Sequence, residues 1–117
     1  MDYIGIGNMK KQNYINTWNM KTLVENHVYE DVDFADTDFN HPIFQNVDFK
    51  NCIFAQCNLD DARTNGCNFT NCKFEGVDLR GVLLGAHGGK FTNCIFKRCN
   101  FKRSRFSIPD FINCLFD

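Results

Sequence analysis

The sequence predicts a solenoid whose backbone turns a corner every five residues and closes a square coil every twenty. Three observations carry this. Phenylalanine recurs in steps of five or its multiples, at positions 34, 39, 44, 49, 54, 69 and 74, and again at 91, 96, 101, 106, 111 and 116. The places missing from that series hold Leu59, Thr64, Leu79 and Leu84. A small residue stands two positions before almost every large one, and all seven cysteines are at such positions. A longer period is superimposed: FKNCIF (49–54), FTNCKF (69–74), FTNCIF (91–96) and FINCLF (111–116) recur at steps of 20, 22 and 20. Helices repeat every 3.6 residues and strands every 2, so a period of five belongs to neither alone.

Residues 1–31 precede the repeat and are expected to cap its first coil, since a solenoid must hide its open ends. Tyr3, Ile4 and Ile6 give a short apolar start, and Asn16 to His27 reads as a weak amphipathic helix with Trp18, Leu23 and Val24 facing inward. Residues 32–117 form the repeat domain. Sorting its pentads by fours predicts four stacked columns. Phe34, Phe54, Phe74, Phe96 and Phe116 make the first; Phe39, Leu59, Leu79 and Phe101 the second; Phe44, Thr64, Leu84 and Phe106 the third; Phe49, Phe69, Phe91 and Phe111 the fourth. Asn51, Asn71, Asn93 and Asn113 fall one above another and are expected to form an amide ladder. Seven residues in place of five separate Leu84 from Phe91, so a two-residue insertion lies near 85–90. Its glycines allow a bulge with His87 at the tip.

This pattern of one large apolar, one small and three polar residues resembles the pentapeptide-repeat family. The resemblance covers about three quarters of the chain, and cysteine replaces the commoner alanine at the small position. It implies an all-β fold, a right-handed quadrilateral parallel β-helix of about four coils, here with a short, partly helical N-terminal cap. Folds of this kind serve many roles, so the fold does not assign one. Quinolone-resistance members of that family carry functional loops, act as acidic DNA mimics on topoisomerases and dimerise through their C-terminal ends. Those properties are the family's implications for the 85–90 loop, the acidic coils and the last coil of this chain.

Composition narrows the classes. The net charge is −1, which gives no global attraction to nucleic acid or membrane. It is segregated, however: 25–61 carries nine acids and one base, whereas 63–117 carries nine bases and four acids. No apolar run reaches the roughly 18 residues of a membrane span, and no secretory signal is legible, so a cytoplasmic location is expected. The cysteines read as small, reduced wall-fillers, because no CxxC occurs and no histidine accompanies them. Neither a metal nor a cofactor is expected.

No phosphate-cradling loop, HExxH or GxSxG occurs, and an interior filled with phenylalanine leaves no substrate cavity, so the chain is not expected to be an enzyme. The predicted function is macromolecular interaction through the outer faces. Lys97, Arg98, Lys102, Arg103, Arg105 and His87 are the candidate contacts. Ile112, Leu115 and Phe116 are the candidate homodimer end. The partner is an unidentified protein, possible alternatives being a topoisomerase or duplex nucleic acid bound by the basic coils.

Overall fold

Five residues suffice for one side of a square only if each side ends on a sharp turn, and a left-handed residue supplies it. The computed structural model describes residues 10–11, 23–86, 89–106 and 110–117. From Asn26 to Gly81 every fifth residue has φ between 52° and 68°, and Asn93, Arg98, Arg103 and Asn113 continue the rule after the insertion. Each stands immediately before the inward position that a small residue fills in every case except His27. Asn, Asp and Gly tolerate this conformation better than other residues and dominate the positions. The Asn-Cys pair of the recurring motif is therefore a left-handed corner followed by an inward thiol.

Successive coils pair as parallel strands in a register of 20. The first wall is a six-stranded sheet built from Lys10–Lys11, Val32–Asp33, Ile53–Ala55, Lys73–Glu75, Ile95–Lys97 and Leu115–Phe116. The third and fourth walls share an eight-stranded sheet, joined through Ile43–Lys50, which runs round the corner at Asn46. The second wall has single bridges, Asp38 to Asn58 to Asp78 to Asn100. There the side-chain oxygen of each Asp or Asn accepts from the backbone N–H two residues on, at 3.0–3.1 Å, and holds a turn where the other walls hold a strand. Together these make an all-β quadrilateral solenoid of about four coils.

The repeat begins earlier than Val32. Leu23–Glu30 is a strand, pairing in parallel with Ile43–Lys50 along nearly its whole length. Val24 and Tyr29 take the large positions of the third and fourth columns, and His27 stands where a small residue is usual. The helix expected over Asn16–His27 is thus replaced by strand from Leu23 onward; its first part, with Trp18, lies outside the described residues, as do Tyr3, Ile4 and Ile6. Hydrogen bonding to a complete neighbouring coil outweighs a weak helical pattern. Lys10–Lys11 pairs with Val32–Asp33 at a step of 22.

The insertion enters one residue at a time. Arg63 pairs with Leu83 at a step of 20, Asn65 with Ala86 at 21 across a β-bulge, and Asn68 with Lys90 at 22. His87 lies outside the described residues.

Inside, the rings stack along the axis. Phe49, Phe69 and Phe91 lie 4.8 and 4.7 Å apart and within 5° of parallel, and Phe54, Phe74 and Phe96 repeat the arrangement at 4.8 and 4.7 Å. Rings on adjacent walls meet edge to face, as Phe44 and Phe49 do at 86°. The expected core is buried as far as Phe96, but Phe111 is only half-buried and Phe116 is 52% exposed, because they belong to the last coil. The amide ladder is present from Asp31 to Asn71: Asn51 donates to Asp31 and Asn71 to Asn51, both at 3.2 Å. Asn93 and Asn113 continue the same left-handed column.

The cysteines do more than fill space. Each thiol lies against the carbonyl of a large residue one coil back, as Cys72 does with Phe49 at 3.3 Å, Cys94 with Phe69 at 3.2 Å and Cys114 with Phe91 at 3.3 Å. Ser104 makes the same bond to Leu79 at 2.6 Å. Burial pushes the Cys57 and Cys67 thiols up to about 11, so they stay protonated and able to donate. Cys94→Ala removes the thiol donor to the Phe69 carbonyl and is expected to cost about 0.5–1.5 kcal/mol, whereas Cys94→Ser restores a donor. Equal thermal midpoints for the two variants would reduce the thiols to spacers.

A second test concerns Thr64, the one polar residue at a large position. A void of about 20 Å³ lies beside it, walled by Ala62, Leu59 and the neighbouring rings. Its hydroxyl donates to the Leu83 carbonyl at 3.2 Å. Thr64→Leu is expected to fill the void and stabilise the fold by about 0.5–2 kcal/mol in chemical denaturation. A loss would mean that the hydrogen bond outweighs the filled volume.

Candidate functional site

The outer surface, like the core, is ordered in columns. On the third wall Leu23, Ile43, Arg63, Leu83 and Arg105 are paired in successive coils, so two apolar side chains are followed along one line by a basic, an apolar and a basic one. Beside that line runs a left-handed corner column of His41, Asp61, Gly81 and Arg103. Between the two columns lies a groove of about 900 Å³. Gly81 opens its middle. A Cβ at Gly81 would collide with the Asp61 carboxylate, which folds down over it, and its φ of +68° is unfavourable for other residues as well.

The groove is bipolar. At one end His41 Nδ1 faces Asp61 Oδ2 at 3.5 Å. Arg63 stands in the same coil as Asp61, and Arg103 and Arg105 stand two coils further along; all three are exposed, and none is in an ion pair among the described residues. Their spacing follows from the register. Arg63 and Arg105 stand two rungs apart, roughly 9.5 Å at the usual strand separation, with Leu83 between them.

The expected basic cluster is distributed round the last coils. Lys97 is half-buried on the first wall, Lys102 is exposed on the second, and Arg103 and Arg105 belong to the groove. Arg98 is tied to Glu75, which also pairs with Lys73 at 3.0 Å. Lys73 first, and then Arg98, holds the Glu75 carboxyl below the usual carboxylate range. Arg80 is likewise engaged with Asp78 at 2.7 Å, and depresses its carboxyl.

Sequence alone does not single out Arg63 or His41, and it reads Asp60-Asp61 only as an exposed carboxylate pair with no pocket. Their signal was available: laid out in rows of 20, the outward positions align as the inward ones do. The inward columns are the conspicuous ones, because phenylalanine marks them.

Ile112, Leu115 and Phe116 are 43%, 58% and 52% exposed and form an apolar patch beside a strand edge that has no partner among the described residues. No helix among the described residues is long and apolar enough to cross a membrane.

None of the curated protein sequences matches the chain. A solved structure of trypsin-treated QnrB1, a plasmid-mediated fluoroquinolone resistance protein, aligns over 93% of this chain and 92% of that one, at 11% identity and a TM-score of 0.20. The architecture therefore rests on the strand register and not on this likeness. A family model describing the SV2A/B/C luminal domain matches residues 8–81, from before the first described strand to the glycine in the middle of the groove. With more than half of its length matched, the chain belongs to the SV2A/B/C luminal-domain family.

Proposed function

We propose that this chain is a non-enzymatic binding module of the pentapeptide-repeat type, and that its working surface is the third-wall groove, where it takes an acidic segment of a protein partner. The observation that carries this reading is the convergence of Arg63, Arg103 and Arg105 on one groove with no carboxylate of their own among the described residues. Guanidinium groups recognise carboxylates through paired N–H donors. Ile43 and Leu83 between them offer apolar contact to the partner's chain. The rigid core supports a binding role, since a preformed groove loses little freedom on association.

The two nucleic-acid-related readings rank lower. Mimicry of DNA toward a topoisomerase calls for a continuous acidic flank, and the three arginines interrupt it. Direct binding of a duplex gains from the same arginines but loses Arg98 to Glu75. A reducing compartment such as the cytoplasm suits the thiols, whose donor role a disulfide would abolish.

Fluorescence anisotropy with a labelled glutamate-rich peptide, against a labelled DNA duplex of similar charge, separates these readings. The peptide is expected to bind the more tightly at physiological salt. An Arg63→Glu, Arg105→Glu double variant is expected to lose about tenfold or more in affinity at unchanged thermal midpoint, since exposed substitutions usually move stability by no more than about 0.5 kcal/mol. Tighter duplex binding, or a double variant that binds as well as the parent, would reject the acidic-peptide reading.

The apolar last coil favours a second interaction, pairing of two copies through Ile112, Leu115 and Phe116 about a two-fold axis. Light scattering is expected to give a dimer at tens of micromolar protein and a monomer for Leu115→Glu. A monomeric parent at that concentration would remove this interface.

A further inference from the structure

We infer that His41, Asp60 and Asp61 form a binding site for a divalent transition-metal ion of the zinc type at the acidic end of the groove. One ligand atom from each of the three side chains lies within 4.8 Å of the others. The His41 Nδ1 to Asp61 Oδ2 separation of 3.5 Å is long for a charge-assisted hydrogen bond, which closes to about 2.7–2.9 Å. It does match the distance between two ligands on one ion. With zinc bonds of about 2.0–2.2 Å in a tetrahedron, neighbouring ligand atoms stand roughly 3.4 Å apart. Rotation of the Asp60 carboxylate toward the pair completes a set of three, which leaves a fourth position for water.

The backbone places these groups for reasons of its own. His41 and Asp61 occupy the same left-handed corner in successive coils, with φ of 55° and 56°, so their side chains leave the rod in parallel, one rung apart. Asp60 adjoins Asp61, and its backbone N–H is held by Asn58 at 3.0 Å. Asn40 is a second left-handed residue directly before His41, the one break in the one-per-pentad rule among the described residues. Below, the absence of a side chain at Gly81 lets Asp61 Oδ1 settle over it, leaving Oδ2 toward His41. The nearby Arg80 guanidinium is forked onto Asp78 and not onto these acids.

The donor set selects the class of ion. Imidazole with two carboxylates suits zinc, cobalt or nickel; magnesium and calcium prefer oxygen alone, and soft ions prefer the thiols. The thiols are inside the rod and point at backbone carbonyls, so they take no part here.

The test uses the full chain. Equilibrium dialysis against zinc chloride is expected to give one equivalent of zinc per chain. Titration with cobalt(II) chloride is expected to give the weak visible bands of nitrogen and oxygen ligation, without thiolate charge-transfer absorption. His41→Asn and Asp61→Asn are both exposed substitutions that keep a residue tolerant of the left-handed corner, and are expected to leave the thermal midpoint of the metal-free protein unchanged. Each should weaken zinc binding by about tenfold or more, since even partners one shell further out are worth about 10–100-fold. No zinc uptake at micromolar metal, thiolate charge-transfer bands, or affinity unchanged in both variants would each overturn the assignment.

Discussion

Everything in this protein depends on a left-handed residue recurring every fifth position. It bends the chain by one corner, and four bends return the backbone to its starting direction one rung higher. Parallel pairing then follows at a register of 20, because each side of the square lies on the same side of the coil before it. Phenylalanine stacking is a consequence of this register. Rings at one position per side come to lie 4.7–5.1 Å apart, close to the spacing of the strands themselves. Ring stacking, amide bonds and thiol bonds each connect a residue with one about twenty positions away, and all reinforce the same translation. Local geometry and long-range packing agree, which is the condition for a sequence to specify one structure.

The same translation organises the surface. An outward position inherits a neighbour from the coil before and the coil after, so a run of charge or of apolar groups along the rod is set by residues far apart in the chain. The third-wall groove arises this way. Its lining comes from four successive coils, and its floor is opened by a glycine whose corner position tolerates one. Corner residues thus have two roles. They satisfy the backbone, and they choose what the edge of a wall presents.

Most of the architecture was legible because the inward positions are chemically conspicuous. Phenylalanine every five residues and an Asn-Cys pair every twenty gave the coils, the columns and the place of the insertion. The start of the repeat was hidden. Val24, His27 and Tyr29 fill their positions without resembling the residues that fill them elsewhere, and their pattern happened to suit a helix. What holds them in a strand is a neighbouring coil with its own register, and a window of local sequence cannot see that. The amide ladder was visible as a column of asparagines, but the backbone requirement that put asparagine there was not. The groove was missed for a related reason: polar residues look interchangeable until the register says which of them stand side by side.

Because each thiol is bonded to a carbonyl one coil back, the cysteines divide the rod into intervals. A coil touches only the coils on either side of it, so separation of two coils frees the thiols that span that boundary and leaves the others in place. Cys52, Cys72, Cys94 and Cys114 sit on successive coils along the first wall and are free thiols. They amount to a built-in ruler of cohesion. The rate at which a thiol reagent reaches each one reads the strength of one boundary, and the gradient of rates along the wall records from which end the solenoid unwinds.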